Sequence, residues 1–122
     1  MRSLQGMSVL ITGGGSGIGA DSAQRFCEQG ARVTISGRRV DKLKAVQARL
    51  GDNCHIVQGD VCQQSDRMNM IEAALAHGGG KLDALINNAA NMYRQPVDGY
   101  TEAHLSDAFN TNVISAMMLS SL

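Results

Sequence analysis

The chain has 122 residues, 43% of them hydrophobic, and its eleven basic side chains balance eleven acidic ones. That supplies one compact domain with a single core, and a balanced charge gives no pull toward a polyanion or an anionic membrane surface. Two tyrosines, two phenylalanines and no tryptophan also argue against base-stacking recognition of nucleic acid. Cys27, Cys54 and Cys62 form no C-x-x-C pair and make an odd count. A disulfide framework or a metal site is therefore not expected, and a reducing, cytoplasmic setting is. The apolar run near the N-terminus is too short for a signal-peptide core or a membrane span.

In chain order, Ser8 to Thr12, with the continuous apolar run Val9-Leu10-Ile11, reads as a buried first strand. A helix is expected from Gly17 to about Gln29, with Ile18, Ala23 and Phe26 on one face and Gly30 placed to end it. Arg32 to Ser36 is rich in β-branched residues and reads as the second strand. The second helix, Val40 to Leu50, repeats apolar residues at 40, 43, 46 and 50 and stops at Gly51. His55 to Gln58 is a short third strand. Ser65 or Asp66 is expected to cap a third helix that runs through His77, with Met68, Ile71, Ala74 and Leu75 as its stripe. Gly78 to Gly80 ends that helix, Ala84 to Asn87 makes a fourth strand, and Asn88 to Tyr100, with Pro96, is a polar loop. From Thr101 the pattern is helical again, and Leu105, Ala108, Phe109, Val113, Ala116 and Met117 share one face. Strands alternating with helices at this pitch predict an α/β domain over residues 1–122, a parallel sheet with helices on both faces.

The stretch between the first strand and the first helix reads T-G-G-G-S-G-I-G, residues 12–19. Gly13, Gly17 and Gly19 permit a sharp turn and a close approach to a ligand. A helix beginning there directs unpaired N–H groups and its positive end into the turn, which suits a pyrophosphate. No Lys-Ser/Thr follows Gly19, so the loop is not a Walker A motif. A glycine turn without any ligand is the plainer alternative. In dinucleotide folds the end of the second strand meets the adenosine ribose, where an acid accepts from the 2′-hydroxyl and an arginine accommodates a 2′-phosphate. Here that end reads Ser36-Gly37-Arg38-Arg39, with no carboxylate before Asp41. Two guanidinium groups there suit a phosphate.

Taken together, these motifs resemble the short-chain dehydrogenase/reductase family over the whole chain. T-G-G-G-S-G-I-G matches the family's T-G-x-x-x-G-x-G cofactor loop, and G-R-R at 37–39 looks like its NADP-preferring variant. Asp60-Val61 resembles the pair that contacts the adenine, through the Asp side chain and the Val backbone. Asn87-Asn88-Ala89-Ala90 resembles the family's N-N-A-G motif, with Ala90 in place of its glycine. Asn112, in N-T-N-V, falls where the family keeps an active-site asparagine, next to a local helix irregularity. From its place on the apolar face, Asn112 is expected to be a buried amide in need of partners.

The resemblance implies a Rossmann-type, doubly wound parallel sheet in three α/β/α layers. It also implies a cofactor site made by Gly13, Gly15, Ser16, Gly17, Ile18, Gly19, Arg38, Arg39, Asp60, Val61, Asn88, Ala89 and Ala90. The cofactor it implies is NADP(H) by preference, with NAD(H) as the second choice. The implied parent reaction is reversible hydride transfer with a small alcohol or carbonyl substrate, in a homo-oligomer. Of the family's Asn-Ser-Tyr-Lys set only Asn112 is matched. Tyr93 and Tyr100 are the two tyrosines, and the residue four beyond Tyr100 is His104 rather than a lysine. The sequence is thus expected to be a first half, truncated after the fourth strand and the helical region that follows. Its fourth-strand edge and its Met117-Met118-Leu119 end should be uncovered, and on its own it should be inactive in hydride transfer. A catalytically incompetent nucleotide-binding or interaction module is the alternative. A nucleotide-sugar or SAM-type Rossmann protein fits the intervals less well.

Overall fold

A computed structural model of the chain describes residues 4–90, 99 and 101–122. Most of the loop expected over 88–100, including Tyr93, Pro96 and Tyr100, lies outside the described residues. Four parallel strands, β1 (Ser8–Thr12), β2 (Arg32–Gly37), β3 (Cys54–Gln58) and β4 (Ala84–Ile86), form one sheet in the order β3-β2-β1-β4. The chain winds outward from β1 through β2 to β3, then crosses back to lay β4 on the other side of β1. Register is set by Ile11, which pairs with Ile35 on one side and Ile86 on the other.

Side chains of β1 alternate between two cores, as the period of two along a strand demands. Val9 and Ile11 join Val33 and Ile35 beneath α1 (Gly17–Glu28) and α2 (Val40–Leu50), where Ala20, Ala23, Leu43 and Val46 complete the layer. Leu10 faces the other way, with Val61, with Met70 and Ala74 of α3 (Gln64–His77), and with Leu119. Every residue of β1 is buried, and each large apolar side chain so removed from water contributes about 1.5–3 kcal/mol. The result is the expected three-layer, Rossmann-type arrangement.

Several local expectations are corrected. Neither Ser65 nor Asp66 caps α3: the helix starts at Gln64 with Gln63 as its cap residue and no side-chain cap bond. Asp66 instead reaches back to accept the Asp60 N–H at 2.8 Å. The buried stripe of α3 is Arg67, Met70 and Ala74, while Met68 is exposed. Arg67 turns inward because its guanidinium donates to the Val61 carbonyl at 2.7 Å, and that fixes the helix phase. Ile18 is 77% exposed; it lies five residues from Ala23, about 140° around the helix and off the sheet-facing side. β4 ends at Ile86 rather than Asn87 and forms the sheet edge among the described residues, half-buried rather than bare.

The C-terminal helical run is three pieces: α4 (Glu102–Phe109), a π-helical segment (Asn110–Ile114) and α5 (Ser115–Ser120). Thr101 caps α4 in a capping box, accepting the His104 N–H while the His104 ring accepts the Thr101 N–H. The expected apolar face points outward: Leu105, Phe109, Val113 and Met117 are all exposed, and Met118 with them. Inward-facing positions are Ala108, Thr111, Ser115 and Leu119, half-buried to buried. Leu119 is therefore covered, contrary to expectation.

Candidate nucleotide site

In an open α/β sheet, the point where strand order reverses leaves a crevice at the carboxyl ends of the strands. Here that reversal falls between β1 and β4, and the glycine loop sits directly above it. The loop and the N-N-A-A run are tied together by Thr12. Its Oγ1 accepts the N–H groups of Asn88 and Ala89, each at 3.1 Å. The Asn88 side-chain amide then donates to the Gly13 carbonyl at 3.1 Å.

Two of the glycines have separate physical jobs. A Cβ at Gly19 would strike the Gly13 carbonyl and come within 2.6 Å of the Asn88 amide, so Gly19 lets α1 seat against the loop. Gly17, at φ +56°, opens α1 with nothing within 4 Å of where its side chain would be. Ser16 makes no side-chain cap bond and the first turn holds no acid, so the first-turn N–H groups keep their positive end uncompensated.

Two hollows adjoin this loop. One, of about 150 Å³, is lined by Gly13, Ser36, Gly37, Asp60, Val61, Ala89, Ala90 and Thr111, together with Arg38 and Gly59. The other, of about 180 Å³, lies against Gly15, Ser16, Arg38, Arg39 and Lys42. Gly13, Gly37 and Arg38 border both, and Arg38 is the charged one of the three. The two arginines are not equivalent: Arg39 is paired with Asp41 at 3.2 Å on the surface. Desolvation works to raise the Asp41 carboxyl, but the Arg39 guanidinium and nearby backbone N–H groups outweigh it and hold it below the usual carboxylate range.

Asp60 is partly a turn residue, its Oδ1 accepting the Cys62 N–H at 2.9 Å. Val61 has its carbonyl engaged by Arg67. The structure thus gathers Gly13, Gly15, Ser16, Arg38, Arg39, Asp60, Val61, Ala89 and Ala90 along two adjoining hollows, with Asn88 bracing the loop behind them. Gly17, Ile18 and Gly19 lie beyond the hollow walls. Asn112 is not on them either: it is exposed, contrary to the expectation of a buried amide. It does fall inside the π-helical segment, one residue after Thr111, which lines the first hollow. Sequence reasoning missed Thr12, Ser36 and Thr111. All three are small hydroxyl residues in strands or helices, and only the packing shows which way they face.

The short chain dehydrogenase family model matches residues 7–122. This chain belongs to the short-chain dehydrogenase family. Among curated relatives, an oxidoreductase, asL5, from Sarocladium schorii is 40% identical over 113 residues, covering 93% of this chain and 45% of that protein. A glucose 1-dehydrogenase from Gluconobacter oxydans is 33% identical over 117 residues, covering 93% of this chain and 44% of the relative. The chain thus spans a little under half the length of the curated relatives it matches. Among solved structures, a 3-ketoacyl-(acyl-carrier-protein) reductase from Brucella melitensis complexed with NADH superposes with a TM-score of 0.91 at 31% identity, over 98% of this chain and 49% of that one. A short chain dehydrogenase from Bacillus anthracis gives 0.90 at 32% identity, over 97% of this chain and half of its own length.

Proposed function

We propose that residues 1–122 form the nucleotide-binding portion of a short-chain oxidoreductase that prefers NADP(H) over NAD(H). The observation that carries this reading is the juxtaposition of an uncompensated, glycine-opened helix N-terminus with Arg38 across two adjoining hollows. The residues fit such a group. The first turn of α1 offers unpaired N–H groups to a pyrophosphate, held open by Gly17 and braced by Asn88 against Gly13. Asp60, Val61 and Thr111 wall the first hollow, which this reading assigns to the adenine. Since the Val61 carbonyl is taken by Arg67, its N–H is the simpler group for a base contact.

Arg38 carries the 2′-phosphate preference, because it borders both hollows while Arg39 is already paired with Asp41. When bound, the nicotinamide cofactor supplies a two-electron hydride donor or acceptor for a small alcohol or carbonyl. The chain's own share is to bind and orient that group. Asn112, in the irregular helical segment, is the residue assigned to the active-site side, and no acid/base is assigned within these 122 residues. The enzyme is further proposed to be a cytoplasmic homo-oligomer. Three free thiols suit a reducing compartment, and among the described residues no helix is long and apolar enough to cross a membrane.

Calorimetric titration with NADPH and NADH tests the cofactor assignment. NADPH should bind the parent chain more tightly, and Arg38→Asp should lose that preference by about tenfold or more, as expected for a charge-assisted contact turned into a repulsion. Arg39→Ala should change it far less. Equal affinity of the parent chain for both nucleotides would remove the Arg38 assignment.

A further inference from the structure

The last buried residue of β2, Ser36, presents a difficulty that the fold alone does not resolve. Its main chain is engaged, the carbonyl accepting the Gly14 N–H at 3.0 Å. Its side chain is 0% exposed, and its Oγ is the buried side-chain polar atom left without a hydrogen-bond partner among the described residues. Val33 and Ile35 face α1 and α2. Alternation therefore sends Ser36 to the other face, toward the hollow it lines with Gly37, Asp60, Val61 and Thr111. The neighbouring polar groups are partly committed, Asp60 Oδ1 to the Cys62 N–H and the Thr111 hydroxyl to the Cys62 thiol at 3.1 Å. Ser36 is not.

A buried hydroxyl without a partner is costly and rare in native proteins, which points to a partner that arrives from outside. A serine hydroxyl can donate and accept at once. An aromatic ring carrying both a ring-nitrogen acceptor and an exocyclic amine uses both capacities, and the hollow that Ser36 lines is the one walled by Asp60 and Val61. We infer that the Ser36 hydroxyl is a hydrogen-bonding group for the adenine end of the bound nucleotide, a specificity contact added to Asp60 and Val61. The inference rests on the nucleotide reading above.

The test uses the full chain with AMP as probe, and with NADPH in parallel. Removing a hydroxyl that has no partner in the free protein should leave the thermal midpoint of Ser36→Ala unchanged or raise it. AMP and NADPH should both bind that variant about two- to tenfold more weakly, the range for one lost hydrogen bond. Ser36→Cys, close in shape but a weak hydrogen-bonding group, should show the same loss and guards against misfolding of the first variant. If both variants bind AMP as tightly as the parent chain, the hydroxyl serves only a water and the inference is overturned. A lowered midpoint with unchanged affinity overturns it as well, by making the hydroxyl structural. If the parent chain binds neither AMP nor NADPH, the nucleotide reading itself fails, and that outcome is distinct from the other two.

Discussion

Two regions of this molecule carry apolar periodicity, and they end up in opposite environments. Along β1, and at Leu43 and Val46 of α2, the periodic residues are buried, Val9, Leu10, Ile11 and Leu43 completely, while Val40 at the start of α2 is exposed. Along α4, the π-helical segment and α5, the stripe Leu105, Phe109, Val113 and Met117 points to solvent, with Met117 68% exposed. The inward side of that run is instead built from Ala108, Thr111, Ser115 and Leu119. Ser115 Oγ donates back to the Thr111 carbonyl, which settles its hydroxyl without a tertiary partner. The difference teaches that an amphipathic pattern announces that a face is to be covered and leaves open what covers it. In the first region the cover is the sheet itself. In the second, no described part of this chain covers the stripe.

The largest effect expected from breaking this contrast comes from Thr12, which joins the buried region to the loop after β4. Thr12→Val keeps the shape but leaves the Asn88 and Ala89 N–H groups unpaired. It should cost roughly 2–3 kcal/mol and lower the thermal midpoint by about 10 °C, read by calorimetry or circular dichroism. An unchanged midpoint would show that the loop is not held by that hydroxyl. A smaller and opposite result is expected on the outward stripe. Phe109→Glu combined with Met117→Lys should change stability by less than about 0.5 kcal/mol, because both side chains are mostly exposed. It should also shift sedimentation toward the monomer, since an exposed apolar stripe favours association. A destabilisation as large as that of Thr12→Val would mean the stripe is packed after all.

The smallest effect belongs to the edge far from the site, where the His55 and His77 rings stack with centroids 5.4 Å apart. Burial and then the charge of His77 lower the pKa of His55; the Arg32 guanidinium is also close, donating to the His77 carbonyl. A histidine whose folded pKa is depressed adds stability that is complete above its unfolded value of about 6.5 and is lost as pH falls through the folded value. Urea midpoints should therefore fall modestly between about pH 7.5 and pH 5.5, and His55→Gln should flatten that slope. The same slope in the variant would assign it to other groups.

The fold was legible because its signals are local. Gly30 and Gly51 end helices where glycines should, with φ of +87° and +81°, and the apolar runs of β1 and β2 need no long-range information. Much of the candidate site was legible for a similar reason, since the glycine loop, G-R-R and Asp60-Val61 sit at element ends that the winding brings together. What stayed hidden depends on rotation about an element. Ile18 and Met68 are apolar residues on the wrong side of their helices. Asn112 is exposed because the helix runs through a π-helical segment there. Ser36 became visible only when its hydroxyl was found buried without a partner.

The central claim is that the loop of residues 12–19, Asp60-Val61 and Ala89-Ala90 form one nucleotide site while the α4–α5 stripe is a separate surface. Backbone amide chemical shifts of the isotope-labelled chain, followed as NADPH is added, test it most directly. The account predicts saturable shifts concentrated at Gly13 to Gly19, Gly37 to Arg39, Asp60, Val61, Ala89 and Ala90, with Leu105, Phe109 and Met117 unmoved. Shifts centred on the stripe, or none at saturating NADPH, would contradict it.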